Sequence, residues 1–147
     1  MTALTTACKS QAPQEELFES HLKIIKRYHK EARLCGENGL YIAGIVMYGA
    51  TLEVTLSTFC ISQLEKHQCP STNTLRETTL YEYIDTFSLS GIISKKTAHH
   101  IRKLRNLIHP NAYHNHLRKH KRGICKKDFE RVEKYYSKIT DDLLQNI

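Results

Sequence analysis

One apolar segment, residues 39–61, constrains this chain more than any other feature of its sequence. It is the most apolar run and is long enough to raise the question of a membrane span. Glu53 lies in its middle, among several threonine and serine residues, and an unpaired carboxylate is costly in lipid. We therefore interpret the segment as the buried central helix of a soluble helical bundle.

The rest of the chain also predicts helices. Six glycines and three prolines in 147 residues are too few for a sandwich of short strands. Apolar residues instead recur at three- and four-residue spacing. The predicted helices run from Pro13 to Gly36, over about 40–64, over about 76–87, from a Ser94 cap to Pro110, and from an Asp128 cap onward, with loops at 67–73 and 111–126. The expected fold is all-α, with four long antiparallel helices and one short helix, in a single domain, 13–147, after a flexible N-terminus, 1–12.

Two helices carry clear apolar stripes. The last helix has a near-heptad stripe of Phe129, Val132, Tyr136, Ile139 and Leu143. On the fourth helix, Ile101, Leu104 and Ile108 should face the core.

Positive charge is concentrated in residues 95–127. This window holds 11 of the 22 basic residues, six of the nine histidines and no acidic residue, so the remainder of the chain is net acidic. The simplest interpretation is a solvated basic face. The alternative is a surface for a polyanion, with Lys95, Lys103, Arg118, Lys119, Lys121 and Arg122 as candidate nucleic-acid-binding residues.

The fourth helix places three functional side chains near one another. At about 100° per residue, Arg102, Arg105 and His109 share an arc beside the apolar stripe, with Asn106 just beyond. Such a group calls for an anion, and an imidazole beside phosphate-binding arginines is the minimum equipment for acid–base cleavage of RNA without a metal. Alternatively, the segment is a structural helix end in which an arginine pairs with an acid such as Glu53.

Other chemistries have weaker signals. The histidines between 109 and 120 lack a carboxylate or cysteine at ligand spacing before Cys125, so we expect no metal and no cofactor. The five cysteines include no Cys-x-x-Cys pair, which favours reduced thiols and a cytoplasmic location. The first residues lack an apolar core of signal-peptide length.

Residues 101–110, Ile-Arg-Lys-Leu-Arg-Asn-Leu-Ile-His-Pro, resemble the signature of the HEPN superfamily (higher eukaryotes and prokaryotes nucleotide-binding domain). Ala50-Thr51-Leu52-Glu53 resembles the central helix of that family, and the segment from Thr79 to Ser94 resembles the short helix and turn before its motif helix. The resemblance extends over residues 39–113.

This resemblance implies an all-α bundle that dimerises across its motif helices. It also implies a metal-independent endoribonuclease of a prokaryotic toxin–antitoxin or phage-defence module, with RNA as substrate and an antitoxin or nucleotidyltransferase as a further partner. Carried over, His109 is the catalytic histidine and Arg102 or Arg105 the catalytic arginine, with Asn106 beside Arg105 and Glu53 in support. Only three residues separate Arg105 from His109, a spacing also compatible with a module that binds nucleic acid, a nucleotide or a protein without cutting.

Overall fold

The computed structural model describes the backbone of residues 3–62 and 79–146, and the side chains of residues 15–62 and 79–146. Within these ranges the chain forms six α-helices and one 3-10 turn, with no strand. The elements are α1 (Ala3–Glu37), α2 (Tyr41–Ser62), α3 (Leu80–Leu89), α4 (Lys95–Arg105), the 3-10 turn (Asn106–Ile108), α5 (Pro110–His120) and α6 (Lys126–Leu144). The predicted all-α class is confirmed, but the predicted number of helices is wrong.

Helix α2 is the centre of the bundle. It packs against α1, α3, α4 and α6, and 12 of its 22 residues are buried. Among the described residues it alone is long and apolar enough to cross a membrane, yet most of it is covered by its neighbours. This burial is consistent with the central helix of a soluble protein.

The α1–α2 hairpin turns at Gly39, whose φ of +73° lies in the left-handed region that favours glycine. Gly36 does not end α1 as predicted, because the helix continues to Glu37. A methyl group at Gly36 or Gly44 would overlap the ring of Phe129, so both glycines let α6 approach the hairpin closely.

Helix α1 begins at Ala3 rather than at Pro13. The helix passes through Pro13, although proline lacks the N–H that would bond the carbonyl four residues earlier. The division into a flexible terminus, 1–12, and a domain, 13–147, stays a prediction.

Helix α6 presents its predicted stripe to the core, since Phe129, Val132, Tyr136, Ile139 and Leu143 are all buried. The predicted cap is wrong. Cys125 is the N-cap, and Asp128 is the third helical residue, whose carboxylate accepts a hydrogen bond from the Cys125 N–H at 2.9 Å. A carboxylate at the third helical position accepts from a free backbone N–H at the start of the helix, as an N-cap side chain also does. Aspartate is therefore compatible with both positions, which explains the error.

Ser94 caps α4 as predicted, with its hydroxyl accepting from the Thr97 N–H. Helix α3 begins after Thr79, which forms a capping box with Glu82, and it ends at Leu89. The predicted start near residue 76, the predicted loop at 67–73 and the predicted end of the second helix near 64 lie outside the described residues.

The largest correction concerns Pro110, which begins a helix instead of closing one. Helix α4 ends at Arg105, the 3-10 turn follows, and His109 adopts an extended conformation before Pro110 opens α5. Proline suits the first helical position, because its missing N–H is one that a helix leaves unpaired there, and it favours an extended residue before it. The predicted loop at 111–126 is therefore wrong for residues up to His120.

The 3-10 turn also changes which side of the chain faces the core. Ile101 is buried and Leu104 packs partly against the core, as predicted. Ile108 is 60% exposed, so its predicted burial is wrong. The tighter turn rotates the side chains away from the α-helical phase on which the prediction depended.

Candidate nucleic-acid interface

Arg105 is held against the central helix. Its Nη1 donates to Glu53 Oε2 at 2.9 Å, with side chains 29% and 37% exposed, respectively. Gly49 lies one turn before Glu53 on α2, and a methyl group there would overlap the aliphatic part of the Arg105 side chain. Helix α2 thus supplies both the space for this arginine and its acidic partner.

Arg102 is held by His99 on its own helix and by Tyr81 on α3. Its Nε donates to His99 Nδ1 at 3.0 Å, and its guanidinium carbon lies 5.1 Å from the centroid of the Tyr81 ring, in a cation–π contact. Because His99 Nδ1 accepts this bond, its other nitrogen carries the proton and faces Asp85 Oδ1 at 3.4 Å. Burial lowers the pKa of His99, Asp85 raises it, and Arg102 lowers it further.

His109 lies at the break between the 3-10 turn and α5. Its backbone N–H donates to the Asn106 carbonyl, and its own carbonyl accepts from Tyr113 N. Its side chain is exposed and makes no hydrogen bond or ion pair within the described part of the chain. Asn106 is half-buried and is the C-cap of α4. The imidazole of His109 is therefore available to a ligand.

Contacts in the described ranges do not link the three predicted site residues to one another. Arg105 is directed at α2 and Arg102 at α3, while His109 stands beyond the end of α4. The pairing of Arg105 with Glu53 agrees with the alternative in which this segment is a structural helix end. No contact within the described residues gives the exposed imidazole of His109 a structural role.

The six candidate nucleic-acid-binding residues are all exposed. Two of them contact acids: Lys95 Nζ lies 3.8 Å from Asp85 Oδ1, and Arg122 makes two hydrogen bonds to Asp128. The remaining four, Lys103, Arg118, Lys119 and Lys121, have no acidic partner among the residues described. Their charges are available for an external anion.

Asp128 organises the turn between α5 and α6. Burial alone would raise the pKa of its carboxyl group, but hydrogen bonds from Arg122 and from the N–H and Sγ of Cys125 outweigh burial and lower the pKa to about 2. The carboxylate is therefore ionised at neutral pH, and it fixes Arg122 beside the start of α6.

A groove of about 480 Å³ lies between α4, α5 and α6. Four basic residues and three histidines line it, together with one acid: Lys103, Lys119, Arg122, Arg131, His100, His116, His120 and Asp128. Arg131 and the three histidines were not predicted as site residues from the sequence. The four-residue spacing of His116 and His120 would have placed their rings together, had residues 110–120 been predicted as a helix.

No group of three or more His, Cys, Asp or Glu side chains in the described ranges is arranged to hold a metal ion. Comparisons of the chain with protein-family models, with curated proteins and with solved structures find no match.

Proposed function

We propose that this protein is an RNA-directed, HEPN-like protein that binds the phosphate backbone on the surface formed by α4, the 3-10 turn, α5 and the turn after it. The observation that carries this proposal is the set of exposed cations without acidic partners on these elements, in a stretch of sequence that contains no acid. A basic side chain that binds an RNA phosphate releases the counterion condensed on it, so each unpaired basic side chain on this surface can add to the affinity for RNA.

Salt dependence tests the binding. We expect a short single-stranded RNA to bind in fluorescence anisotropy with an affinity that falls steeply as salt rises. Replacing Arg118 and Lys121 with glutamine should reduce the slope of log K against log salt by about 0.7 for each phosphate that the variant no longer neutralises. The matched control replaces Lys23 and Lys26, two exposed lysines of α1, and should leave the slope unchanged. Equal slopes in both double variants would contradict the proposed surface.

We further propose that the bound RNA is cleaved without a metal, with His109 as the acid–base group. The 2′-hydroxyl attacks the adjacent phosphorus to form a cyclic phosphate, the bond from phosphorus to the 5′-oxygen breaks, and His109 transfers the proton of the 2′-hydroxyl to the departing 5′-oxygen. The exposed imidazole of His109, beyond the end of the arginine-bearing helix, supports this activity. Arg102 and Arg105 would hold the phosphate, with Asn106 beside them. In the free protein the Glu53 carboxylate holds Arg105, and a bound phosphate would compete with it for the guanidinium.

The test is a gel assay for cut RNA in the presence of a chelator. His109→Ala should abolish cleavage while helicity measured by circular dichroism is unchanged. His114→Ala removes another exposed histidine, on α5, and should cleave like the parent protein. Cleavage that persists in His109→Ala would refute the mechanism, and RNA binding without any cut product would favour the non-catalytic alternative.

The assembly and cellular context complete the proposal. We propose a cytoplasmic homodimer in a prokaryotic toxin–antitoxin or phage-defence module, with an antitoxin or nucleotidyltransferase as a further partner and no membrane association. An apolar groove of about 880 Å³ supports dimerisation, because it reaches the exposed Ile108 next to the candidate catalytic histidine. Leu40, 57% exposed, lies at the same groove and adds apolar surface for a second copy to cover.

A further inference from the structure

The groove between α4, α5 and α6 is separate from the arginine–histidine motif. At about 100° per residue, the α4 residues that line it, His100, Lys103 and Leu104, lie on the side of the helix nearly opposite to Arg102 and Arg105. A ligand in the groove would therefore contact Lys103 and Lys119 of the proposed RNA surface, but not the side of α4 that carries Arg102 and Arg105.

The groove has an excess of positive charge. Asp128 is the single acid in its lining, and it is already hydrogen-bonded to Arg122. Lys103, Lys119 and Arg131 have no acidic partner in the described part of the chain. Three cations in the lining of one small volume favour an anion with more than one negative charge.

Two imidazoles in the groove wall are incompletely satisfied. The Nε2 atoms of His100 and His116 are buried, and neither has a hydrogen-bond partner among the described residues. The His100 ring packs edge-on against Tyr135, and the His116 ring lies 4.4 Å from that of His120. Buried polar atoms are normally paired, and both nitrogens are covered, so each ring would have to turn toward the groove to pair with a ligand there.

We propose that this groove binds the terminal phosphate of an RNA strand, a proposal that rests on the proposed RNA binding. Lys103, Lys119 and Arg131 would be its charge partners, and His100 and His116 its hydrogen-bond partners. A terminal phosphate carries about −1.5 to −2 charges at pH 7, against one for an internal phosphodiester, which suits the three unpaired cations. The volume of about 480 Å³ is that of a small-ligand site and accommodates one strand end.

Proton uptake should accompany binding. Burial lowers the pKa of His100, with Arg131 lowering it further, Asp128 raising it and Lys103 lowering it. Burial also lowers the pKa of His116, together with the charges of His120, Arg122 and Lys119, against Asp128. The groups that face these rings are therefore Lys103 on α4, Lys119 and His120 on α5, Arg122 after α5, and Asp128, Arg131 and Tyr135 on α6.

A bound phosphate adds negative charge beside both rings and raises both pKa values, so the complex holds protons that the free protein does not. Affinity for the phosphate should accordingly rise as the pH falls through the pKa values of the complex. Below about pH 6 the phosphate itself becomes protonated and the gain stops.

The experiment compares strand ends. A short 2′-O-methyl RNA lacks the 2′-hydroxyl and is not cut, so binding is measured apart from cleavage. We expect strands with a terminal phosphate to bind about tenfold more tightly than strands with hydroxyl ends, as expected for charge-assisted contacts. Inorganic phosphate should remove this preference and leave the weaker binding in place. If inorganic phosphate alone binds and strand ends are not distinguished, the RNA-end proposal is wrong.

Lys103→Gln with Lys119→Gln should abolish the preference. The control, Lys96→Gln with Lys138→Gln, removes the same charge from exposed positions outside the groove and should retain it. Between pH 8 and about 6.5 the preference should grow, and His116→Asn should weaken this growth whereas His114→Asn should not. All four lysines are exposed, so these variants should fold, which circular dichroism can verify.

Equal affinity for both kinds of end, or a preference that survives the double substitution in the groove, would overturn the proposal. These results leave the motif untouched. Conversely, end-dependent binding without RNA cleavage would refute the catalytic proposal alone, and absence of any RNA binding would refute both.

Discussion

Substitutions in the Glu53–Arg105 ion pair test whether Arg105 has a structural role or contacts RNA. Glu53→Gln removes the carboxylate charge but keeps the size of the side chain. At 2.9 Å, two unit charges attract by about 1.4 kcal/mol at the permittivity of water and by about 6 kcal/mol at an effective value of ~20. Desolvation and side-chain entropy oppose this attraction, and because both groups keep about a third of their exposure, we expect a coupling of about 1 kcal/mol.

A double-mutant cycle measures that coupling. Urea unfolding gives the free energy of unfolding of the parent, Glu53→Gln, Arg105→Gln and the double variant. The losses of unfolding free energy in the two single variants should add up to about 1 kcal/mol more than the loss in the double variant. A coupling near zero would mean that the ion pair contributes nothing to stability.

RNA affinity is the second measurement on the same variants. If Arg105 contacts phosphate, Glu53→Gln should tighten RNA binding about threefold, because the arginine no longer has an internal competitor. The matched control is Glu31→Gln, which frees Arg27 from a similar pair at 3.2 Å on α1. The same gain in both variants would reflect net charge alone, and it would refute a direct role for Arg105 in binding.

Three other perturbations test the fold and the assembly. Asp128→Asn should lower the free energy of unfolding, measured in urea at pH 7, by about 2 kcal/mol, since the carboxyl pKa is about 2 in the folded protein against an ordinary 3.8. The ionised carboxylate contributes its full stabilisation above pH 3.8, so the difference between parent and variant should shrink as the pH falls through about 2. In the same urea unfolding assay, Gly44→Ala should lower the free energy of unfolding by about 1–3 kcal/mol, because its methyl group would lie 2.6 Å from the Phe129 ring. Gly39→Ala has nothing within 4 Å of its methyl group, so backbone strain alone should lower the free energy of unfolding by about 1–2 kcal/mol. Ile108→Asp should shift the mass in sedimentation velocity from dimer to monomer, and an unchanged mass would refute an interface at this residue.

The sequence predicted best where periodicity alone determines structure. The stripe of α6 and the burial of α2 both follow from apolar residues repeating over several turns, and packing against neighbours reinforces such a repeat. The Ser94 cap was also predictable, because a serine hydroxyl before a helix satisfies a free amide.

Prediction failed where one residue type is compatible with two positions. Proline both ends and begins helices, and Pro110 does the latter. Aspartate both caps a helix and occupies its third position, and Asp128 does the latter because Cys125 provides the cap. The error at Pro110 hid α5, and with α5 it hid the groove, since His116 and Lys119 line a common surface only when residues 110–120 are helical.

The arrangement around Arg105 makes the proposed RNA binding and the proposed cleavage experimentally separable. Gly49 and Glu53 are one helical turn apart on α2, so one face of one helix both makes room for the arginine and fixes its charge. The position of Arg105 thus depends on the packed centre of the bundle. His109 instead follows a 3-10 turn and precedes a new helix, and nothing in the described residues restrains its side chain. A substitution at His109 should therefore change RNA cleavage without disturbing the core, whereas a substitution at Gly49 should change stability and the arginine together.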